Sequence, residues 1–160
     1  MIILKSLPEI EKMRKSNAIV AAILEELRKK IRPGVKTIEL DRLSEDLALK
    51  KGARPAFKGY RGYPYSLCTS VNSEVVHGMP SERELKEGDI VSLDFGILND
   101  GYYGDAAVTV PVGEITSGAR KLLKITEEAL YRGIAEVKAG KRIGDISAAI
   151  QGHVEAARYS

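Results

Sequence analysis

Two aspartates in the middle of the chain have the type and spacing of metal ligands. Asp94 lies in the segment IVSLDFG and Asp105 in YYGDAAVTV, and the turn signal NDG at residues 99–101 lies between them. A hairpin folded at Asn99-Asp100 would place the two aspartates directly opposite each other, with Cβ atoms about 4.5–5.5 Å apart on one face. Two hard oxygen ligands on a rigid hairpin suit a centre of two divalent cations.

Two facing carboxylates repel each other, and three arrangements relieve that repulsion. They can share a proton as an aspartic dyad does, they can pair with a buried lysine or arginine, or they can bind cations. Strand alternation places no basic residue on the face that carries Asp94 and Asp105, which weakens the second arrangement. A structural role, with one aspartate in a turn network and the other exposed, stays open beside cation binding.

The other reactive side chains are few. His77 lies in SVNSEVVHGMP, between a predicted strand and a proline turn, where a histidine is usually an ordinary loop residue. His153 falls on the apolar side of the last predicted helix, and we expect a structural role for it rather than metal ligation. The single cysteine, Cys68, excludes an internal disulfide and suits a reducing cytoplasm.

Composition restricts the partners of the chain. Hydrophobic residues at 44% and charged residues at 29% describe a soluble globular protein. The longest apolar run, residues 18–24, is much shorter than the roughly 20 residues that cross a bilayer, so no membrane association is expected. The net charge of +3 comes from basic residues that alternate with acidic ones along helices. This pattern favours solvated helix faces over a nucleic-acid surface.

The elements that must position the aspartates follow an α+β order in one domain, residues 1–160. Apolar spacing predicts a helix pair over 6–51, which opens with the capping sequence SLPE at residues 6–9 and continues from a Thr37 cap. A β-region over 66–112 follows, and we expect its antiparallel hairpin sheet to pack on the helices. The predicted strands cover residues 67–72, 74–77, 90–98 and 102–112.

A second helix pair is predicted over residues 117–158, with Leu122, Ile125, Leu130 and Ile134 inside. The segment over 31–40 aligns weakly with the segment over 137–146, because each ends one helix, turns on a glycine and opens the next. This repeat predicts two copies of a helix pair, with strands following only the first copy.

Six motifs carry a family resemblance. They are FKGYRGYP at 57–64, CTSVN at 68–72, VVHGMP at 75–80, LKEGDIV at 85–91, DFG at 94–96 and GYYGDA at 101–106. Together they resemble the N-terminal part of a bacterial type I methionine aminopeptidase, and the likeness covers essentially the whole chain. The resemblance implies a pita-bread fold built from two similar halves, of which this chain would hold the N-terminal half and a second helix pair.

The resemblance also implies a function and a set of site residues. The family removes the initiator methionine from nascent proteins in the cytoplasm with water activated by two divalent metal ions, of which Mn, Fe, Co and Zn are candidates. Asp94 and Asp105 match its two aspartate ligands, and His77 matches a catalytic histidine that contacts the substrate beside the metals. The substrate-binding positions of the methionine pocket match Phe57, Tyr60, Tyr63, Cys68 and His77.

The family completes its site with a further histidine ligand, two glutamate ligands and a second catalytic histidine, which lie beyond the last residue of this sequence. We therefore expect a truncated chain with an incomplete site, which would need a complementary C-terminal half or a second copy of itself in a homodimer. Two alternatives stay open: a relative specific for proline, and a non-catalytic pita-bread binding module. The motif over residues 57–68 favours methionine as the substrate side chain.

Overall fold

The computed structural model describes residues 3–160 and confirms the α+β class. The elements are α1 (Leu7–Arg28), α2 (Thr37–Lys50), β1 (Arg54–Pro55), β2 (Leu67–Val71), β3 (Ile90–Asn99), β4 (Tyr102–Pro111), α3 (Ser117–Ala135) and α4 (Ile143–Ala156). One turn of 3-10 helix, Tyr60–Gly62, lies between β1 and β2. Among residues 3–160, no helix has the length and apolar character needed to cross a membrane.

Helix α1 begins where the capping sequence predicts. The Glu9 carboxylate accepts hydrogen bonds of 2.7 Å from both the backbone N–H and the hydroxyl of Ser6. It also accepts a bond of 3.0 Å from the hydroxyl of Tyr102 on β4. The bonds from Ser6, followed by the bond from Tyr102, lower the pKa of Glu9 to about 2. The start of α1 is thereby tied to the sheet.

The cap of helix α2 lies one residue before the predicted one. Lys36 occupies the capping position and Thr37 is the first helical residue, so the predicted Thr37 cap is wrong. The Thr37 hydroxyl instead accepts a bond of 2.9 Å from the Ser81 N–H and donates to the Ser81 carbonyl at 3.1 Å. A side chain engaged by a distant loop is not free to cap its own helix.

Asp41 on α2 fixes the start of β2. Its carboxylate is buried, with 6% of the residue exposed, and it accepts hydrogen bonds from the backbone N–H groups of Ser66 and Leu67 at 2.8 and 3.0 Å. These bonds satisfy backbone donors that enter the core ahead of the strand. Asp41 therefore holds β2 in position against α2.

Strand β3 is the centre of an antiparallel sheet. Strand β4 pairs with it along its whole length, from Ile90 opposite Pro111 to Asn99 opposite Tyr102. Strand β2 pairs with residues 91–95 of β3 and β1 pairs with residues 97–98, so both lie along the other edge. Alternate residues of β3 point to opposite faces. One face holds the fully buried side chains Val91, Leu93, Phe95 and Ile97, which join Val20, Ile23 and Leu27 of α1 in the core.

The predicted strand over residues 74–77 does not form. The Glu74 carboxylate accepts a bond of 3.0 Å from the Val71 N–H, which closes a turn directly after β2. Val75 is 86% exposed, and His77 has a left-handed backbone with φ +60°. Two consecutive valines look like strand residues in sequence, but here the local turn leaves them without a partner strand.

The hairpin register differs from the prediction by two residues. Asp94 lies opposite Ala107, and Asp105 lies opposite Gly96, so the two aspartates are diagonal neighbours and not directly opposite. The two-residue turn is Asp100-Gly101, with φ +48° and +81°, where the prediction centred it on Asn99-Asp100. A turn centre displaced by one residue moves each pairing partner by two, which leaves both aspartates on the same face.

The chain forms two compact units, one ending at Ile115 and one from Thr116 to Ser160. The second unit is the hairpin of α3 and α4, and its helices lie close together at Gly133. A Cβ atom there would lie 2.8 Å from Cδ1 of Ile150. Because the contact runs through small residues such as Ala129 and Gly133, the predicted interior positions Leu130 and Ile134 are more than half exposed.

His153 also lies in this helical hairpin. Its Nε2 atom is 3.0 Å from Oε2 of Glu128 on α3, and its side chain is 15% exposed. This contact agrees with the predicted structural role. The two glycines of the repeat, Gly34 and Gly140, both have a left-handed backbone, with φ +86° and +84°.

Candidate metal and substrate site

The polar face of the sheet brings together residues from three strands. Asp94 on β3 lies opposite Ala107 of β4 on one side and opposite Cys68 of β2 on the other. One step along the sheet, Ser92 lies opposite Ser70, and its hydroxyl is 2.8 Å from that of Thr109. This face therefore has a polar surface with Asp94 near its middle.

The carboxyl groups of Asp94 and Asp105 lie close enough across the strands for each to shift the pKa of the other. Desolvation raises the pKa of Asp94, the negative charge of Asp105 raises it further, and the nearby His77 opposes the shift. Desolvation also raises the pKa of Asp105. Without a cation the pair binds protons more tightly than two free aspartates would, which favours the first of the three arrangements expected from sequence.

The donor set fits a divalent cation in part. No lysine or arginine is among the groups that shift the pKa of Asp94 or Asp105. Two carboxylates that repel each other in this way are stabilised by a cation bound between them. Within residues 3–160, however, no group of three or more histidine, cysteine, aspartate or glutamate residues is arranged to hold a metal ion. Asp94 and Asp105 therefore supply some of the ligands that a metal ion needs, and not all of them.

Cys68 and Tyr63 form a neutral wall beside Asp94. Burial raises the pKa of the Cys68 thiol above its ordinary value of 9.0, so the thiol is neutral at pH 7. Burial and a hydrogen bond with Cys68 raise the pKa of Tyr63. The Tyr63 hydroxyl also donates to the carbonyl of Leu67 at 3.0 Å, which fixes the ring at the start of β2.

Phe57 lies on the sheet next to Asp105. A Cβ atom added to Gly96, the residue opposite Asp105, would lie 2.6 Å from Cε1 of Phe57. The ring therefore occupies the space that a side chain at position 96 would fill. Tyr60 is different, because it is 63% exposed and its ring is covered by the guanidinium of Arg61 at 5.4 Å. Of the predicted pocket residues, Phe57, Tyr63 and Cys68 lie at the aspartate pair.

Replacing Gly96 with alanine is expected to displace the Phe57 ring. The added methyl group overlaps the ring, so we expect a loss of about 1–3 kcal/mol in the free energy of unfolding, typical of overpacking. Urea denaturation measures this loss. In a Phe57→Ala background the same Gly96→Ala change should cost much less. Equal costs in the two backgrounds would show that the ring does not lie on Gly96.

His77 reaches the site from the loop that follows β2. It is exposed, and its charge acts on Asp94. The next residue, Gly78, packs directly against β2. A Cβ atom at Gly78 would lie 2.3 Å from the Thr69 carbonyl oxygen. Reasoning from sequence missed the residues that hold this loop, Ser70 and Glu74. Only the adjacency of Gly78 to His77 could have indicated that the loop is anchored.

Comparison with known proteins adds a family to this geometry. Over 160 residues the chain is 51% identical to methionine aminopeptidase 1 of Bacillus subtilis (strain 168), and the match spans all of this chain and 64% of the relative. The crystal structure of methionine aminopeptidase from Rickettsia prowazekii matches with a TM-score of 0.98 at 36% identity, over 100% of this chain and 64% of that one.

A Xaa-Pro dipeptidase from Bacillus anthracis matches less well, with a TM-score of 0.85 and 29% identity over 96% of this chain and 42% of that one. The fold is thus the predicted pita-bread fold, and the chain spans less than two thirds of the length of the curated relative. The sequence signature of metallopeptidase family M24 matches residues 11–160. The chain belongs to metallopeptidase family M24.

Proposed function

We propose that this chain carries part of the active site of a methionine aminopeptidase, which removes an N-terminal methionine from peptides and nascent proteins. The observation that carries the proposal is the contact between the Asp94 and Asp105 carboxyl groups beside an apolar, sulfur-containing wall. The 51% identity to a methionine aminopeptidase, against 29% to a Xaa-Pro dipeptidase, supports methionine over proline as the determinant of specificity.

Each residue has a role that its position supports. Asp94 and Asp105 would hold divalent cations, with Mn, Fe, Co and Zn as candidates. Bound cations would polarise the scissile carbonyl and activate water. Phe57, Tyr63 and Cys68 would bind the unbranched thioether side chain of the substrate, since that wall is aromatic and neutral.

His77 would donate a hydrogen bond to the substrate beside the carboxylates. Its loop position leaves the imidazole accessible to a bound peptide, as a group that contacts the substrate requires. Tyr60 would form the outer rim of the pocket.

The two aspartates do not complete a coordination sphere, so we propose that the remaining ligands come from a complementary polypeptide or from a second copy of this chain. We place the activity in the cytoplasm, where the free, buried thiol of Cys68 stays reduced. Sedimentation with and without Mn²⁺ distinguishes the two sources. A metal-linked doubling of mass supports a homodimer, and a monomer at all metal concentrations supports a separate polypeptide.

The direct test is cleavage of a Met-Ala-Ser peptide with Mn²⁺ or Co²⁺. We expect little turnover from the 160-residue chain alone. We expect metal-dependent release of methionine when this chain replaces the matched region of the Bacillus subtilis relative. Cleavage of Ala-Pro-Ser at a higher rate than of Met-Ala-Ser, or a chimera that is folded but inactive, would contradict the proposal.

Metal binding to the aspartate pair should strengthen as the pH rises. Because the pKa of both Asp94 and Asp105 is raised, protons compete with a cation for the pair more strongly than they would for free aspartates. Calorimetric titration with Mn²⁺ in two buffers of different ionisation enthalpy measures the protons released. We expect release that increases below neutral pH, towards the raised pKa values. Affinity independent of pH in this range would mean that the cation binds elsewhere.

A further inference from the structure

On the C-terminal side of His77, the loop is held to β2 through Gly78. Both backbone groups of Gly78 are engaged: its N–H donates to the Ser70 hydroxyl at 3.0 Å, and its carbonyl accepts from the Thr69 N–H at 2.8 Å. The absence of a side chain permits this approach, since a Cβ atom at Gly78 would lie 2.8 Å from Cα of Ser70. The residue after the histidine is therefore in direct contact with the strand that borders Asp94.

The Ser70 hydroxyl lies on the polar face of the sheet that carries Asp94, and not on the core face. Ser70 is 3% exposed, and it lies on the same face of β2 as Cys68, which pairs with Asp94. A buried hydroxyl needs a hydrogen-bond partner, and the Gly78 N–H is the one that the structure provides. The bond fixes the peptide that joins His77 to Gly78.

The backbone of His77 needs such a constraint. Its φ of +60° lies in the left-handed region, which is strained for a residue with a side chain. The preceding residues Val75 and Val76 are 86% and 63% exposed and offer no packing that would hold this conformation. Upstream, Glu74 is bound to the Val71 N–H and to Arg83 at 2.9 Å, so the loop is anchored on both sides of His77.

We propose that Ser70 is a positioning residue for His77: its hydroxyl, through the Gly78 N–H, holds the imidazole beside the Asp94–Asp105 pair. The catalytic part of this proposal rests on the proposed function, in which His77 contacts the substrate. The structural part concerns the 160-residue chain alone and is tested on that chain.

NMR of the histidine rings reports the position of His77 directly. The chain has only two histidines, and the other, His153, lies on α4 and serves as an internal reference. In Ser70→Ala we expect the His77 ring signal to move towards its position in a free peptide and its order parameter to fall, while the His153 signal is unchanged. The matched control is Ser92→Ala, which removes the hydroxyl directly opposite Ser70 without touching Gly78. It should leave both histidine signals in place.

Kinetics of the chimera that cleaves Met-Ala-Ser test the catalytic part. Ser70→Ala should lower kcat roughly ten- to a hundredfold with KM little changed, as expected when a reacting group is displaced by about 1 Å. Ser70→Thr, which retains the hydroxyl, should restore most of kcat. Circular dichroism confirms that each variant is folded.

The outcomes separate the two proposals. An unchanged His77 signal in Ser70→Ala, or an equal change in Ser92→Ala, overturns the positioning role whether or not the protein is active. A displaced His77 signal in a protein whose parent does not cleave methionine peptides upholds the positioning role and counts against the proposed function. A displaced signal with unchanged kcat overturns the catalytic part.

Discussion

Replacing both aspartates with asparagine is expected to abolish Mn²⁺ binding by this chain and methionine release by the chimera. Asparagine at the two positions would keep the size of the side chains but remove both negative charges, on which a hard cation depends. Each single change, Asp94→Asn or Asp105→Asn, should also weaken binding strongly, because it removes one of the two negative charges that would attract a cation. Calorimetry with Mn²⁺ and the Met-Ala-Ser assay measure the two losses.

The same variants should not be less stable than the parent when metal is absent. Because folding raises the pKa of both aspartates, the folded state binds protons more tightly than the unfolded state does. Stability is therefore lost as the pH rises from the ordinary value of 3.8 through the raised values, and asparagine removes that loss. At neutral pH, Asp94→Asn should raise the Tm of the metal-free chain or leave it unchanged.

Asp100→Asn is the matched control for these changes. Asp100 lies in the turn of the same hairpin and pairs with Lys12 at 3.1 Å in an exposed ion pair, which contributes little. It should keep both Mn²⁺ binding and turnover. Undiminished Mn²⁺ binding in the double aspartate variant would remove the aspartate pair as the metal site, and with it the main support for the proposed function.

Replacing Gly104 with alanine is expected to destabilise the first unit severely. Gly104 lies on the core face of β4, and a Cβ atom there would lie 2.5 Å from the backbone carbon and 2.6 Å from the carbonyl oxygen of Ser16 on α1. Backbone atoms of a helix cannot rotate away, so α1 must shift from the sheet. We expect a loss of about 3 kcal/mol or more, at the upper end of overpacking effects, visible in urea denaturation.

The shift also breaks specific bonds between α1 and the hairpin. The Ser16 hydroxyl donates to the Tyr102 carbonyl at 3.0 Å, and the Asp105 N–H donates to the Asn17 side chain at 3.3 Å. Because one of these bonds involves Asp105, Gly104→Ala should weaken Mn²⁺ binding as well.

The same glycine-to-alanine substitution at Gly152 is expected to stabilise the protein, the opposite of the effect at Gly104. Gly152 lies inside α4 with no atom within 4 Å of an added Cβ, so alanine should stabilise the helix by up to about 1 kcal/mol. A Gly104→Ala variant as stable as the parent would show that α1 does not lie on β4 as described.

The local elements were predictable because their signals are local. The SLPE sequence at residues 6–9 places the start of α1 where the structure has it, and the alternation in β3 places Leu93 and Phe95 in the core with Asp94 on the other face. The strand predicted over 74–77 was wrong because Glu74 reaches back to the Val71 N–H. That bond is a property of the folded turn and not of the β-propensity of two valines.

Which residues of α3 are exposed could not be predicted from its sequence either. Apolar spacing indicates which residues share a helix face, but Leu130 and Ile134 are exposed because the contact with α4 runs through Gly133. Which of several apolar stripes is covered depends on the partner helix.

The sequence by itself determined the α+β class, the family motifs and the fact that Asp94 and Asp105 share a face, because a two-residue turn centred at either position shifts each pairing partner by an even number of residues. Only the tertiary structure decided that they are diagonal, since the turn lies at Asp100-Gly101. It alone decided what surrounds them, with Cys68 across the neighbouring strand and Phe57 on Gly96. Those contacts join residues far apart in the chain, and their positions depend on how strands pair and how close a glycine lets two segments approach.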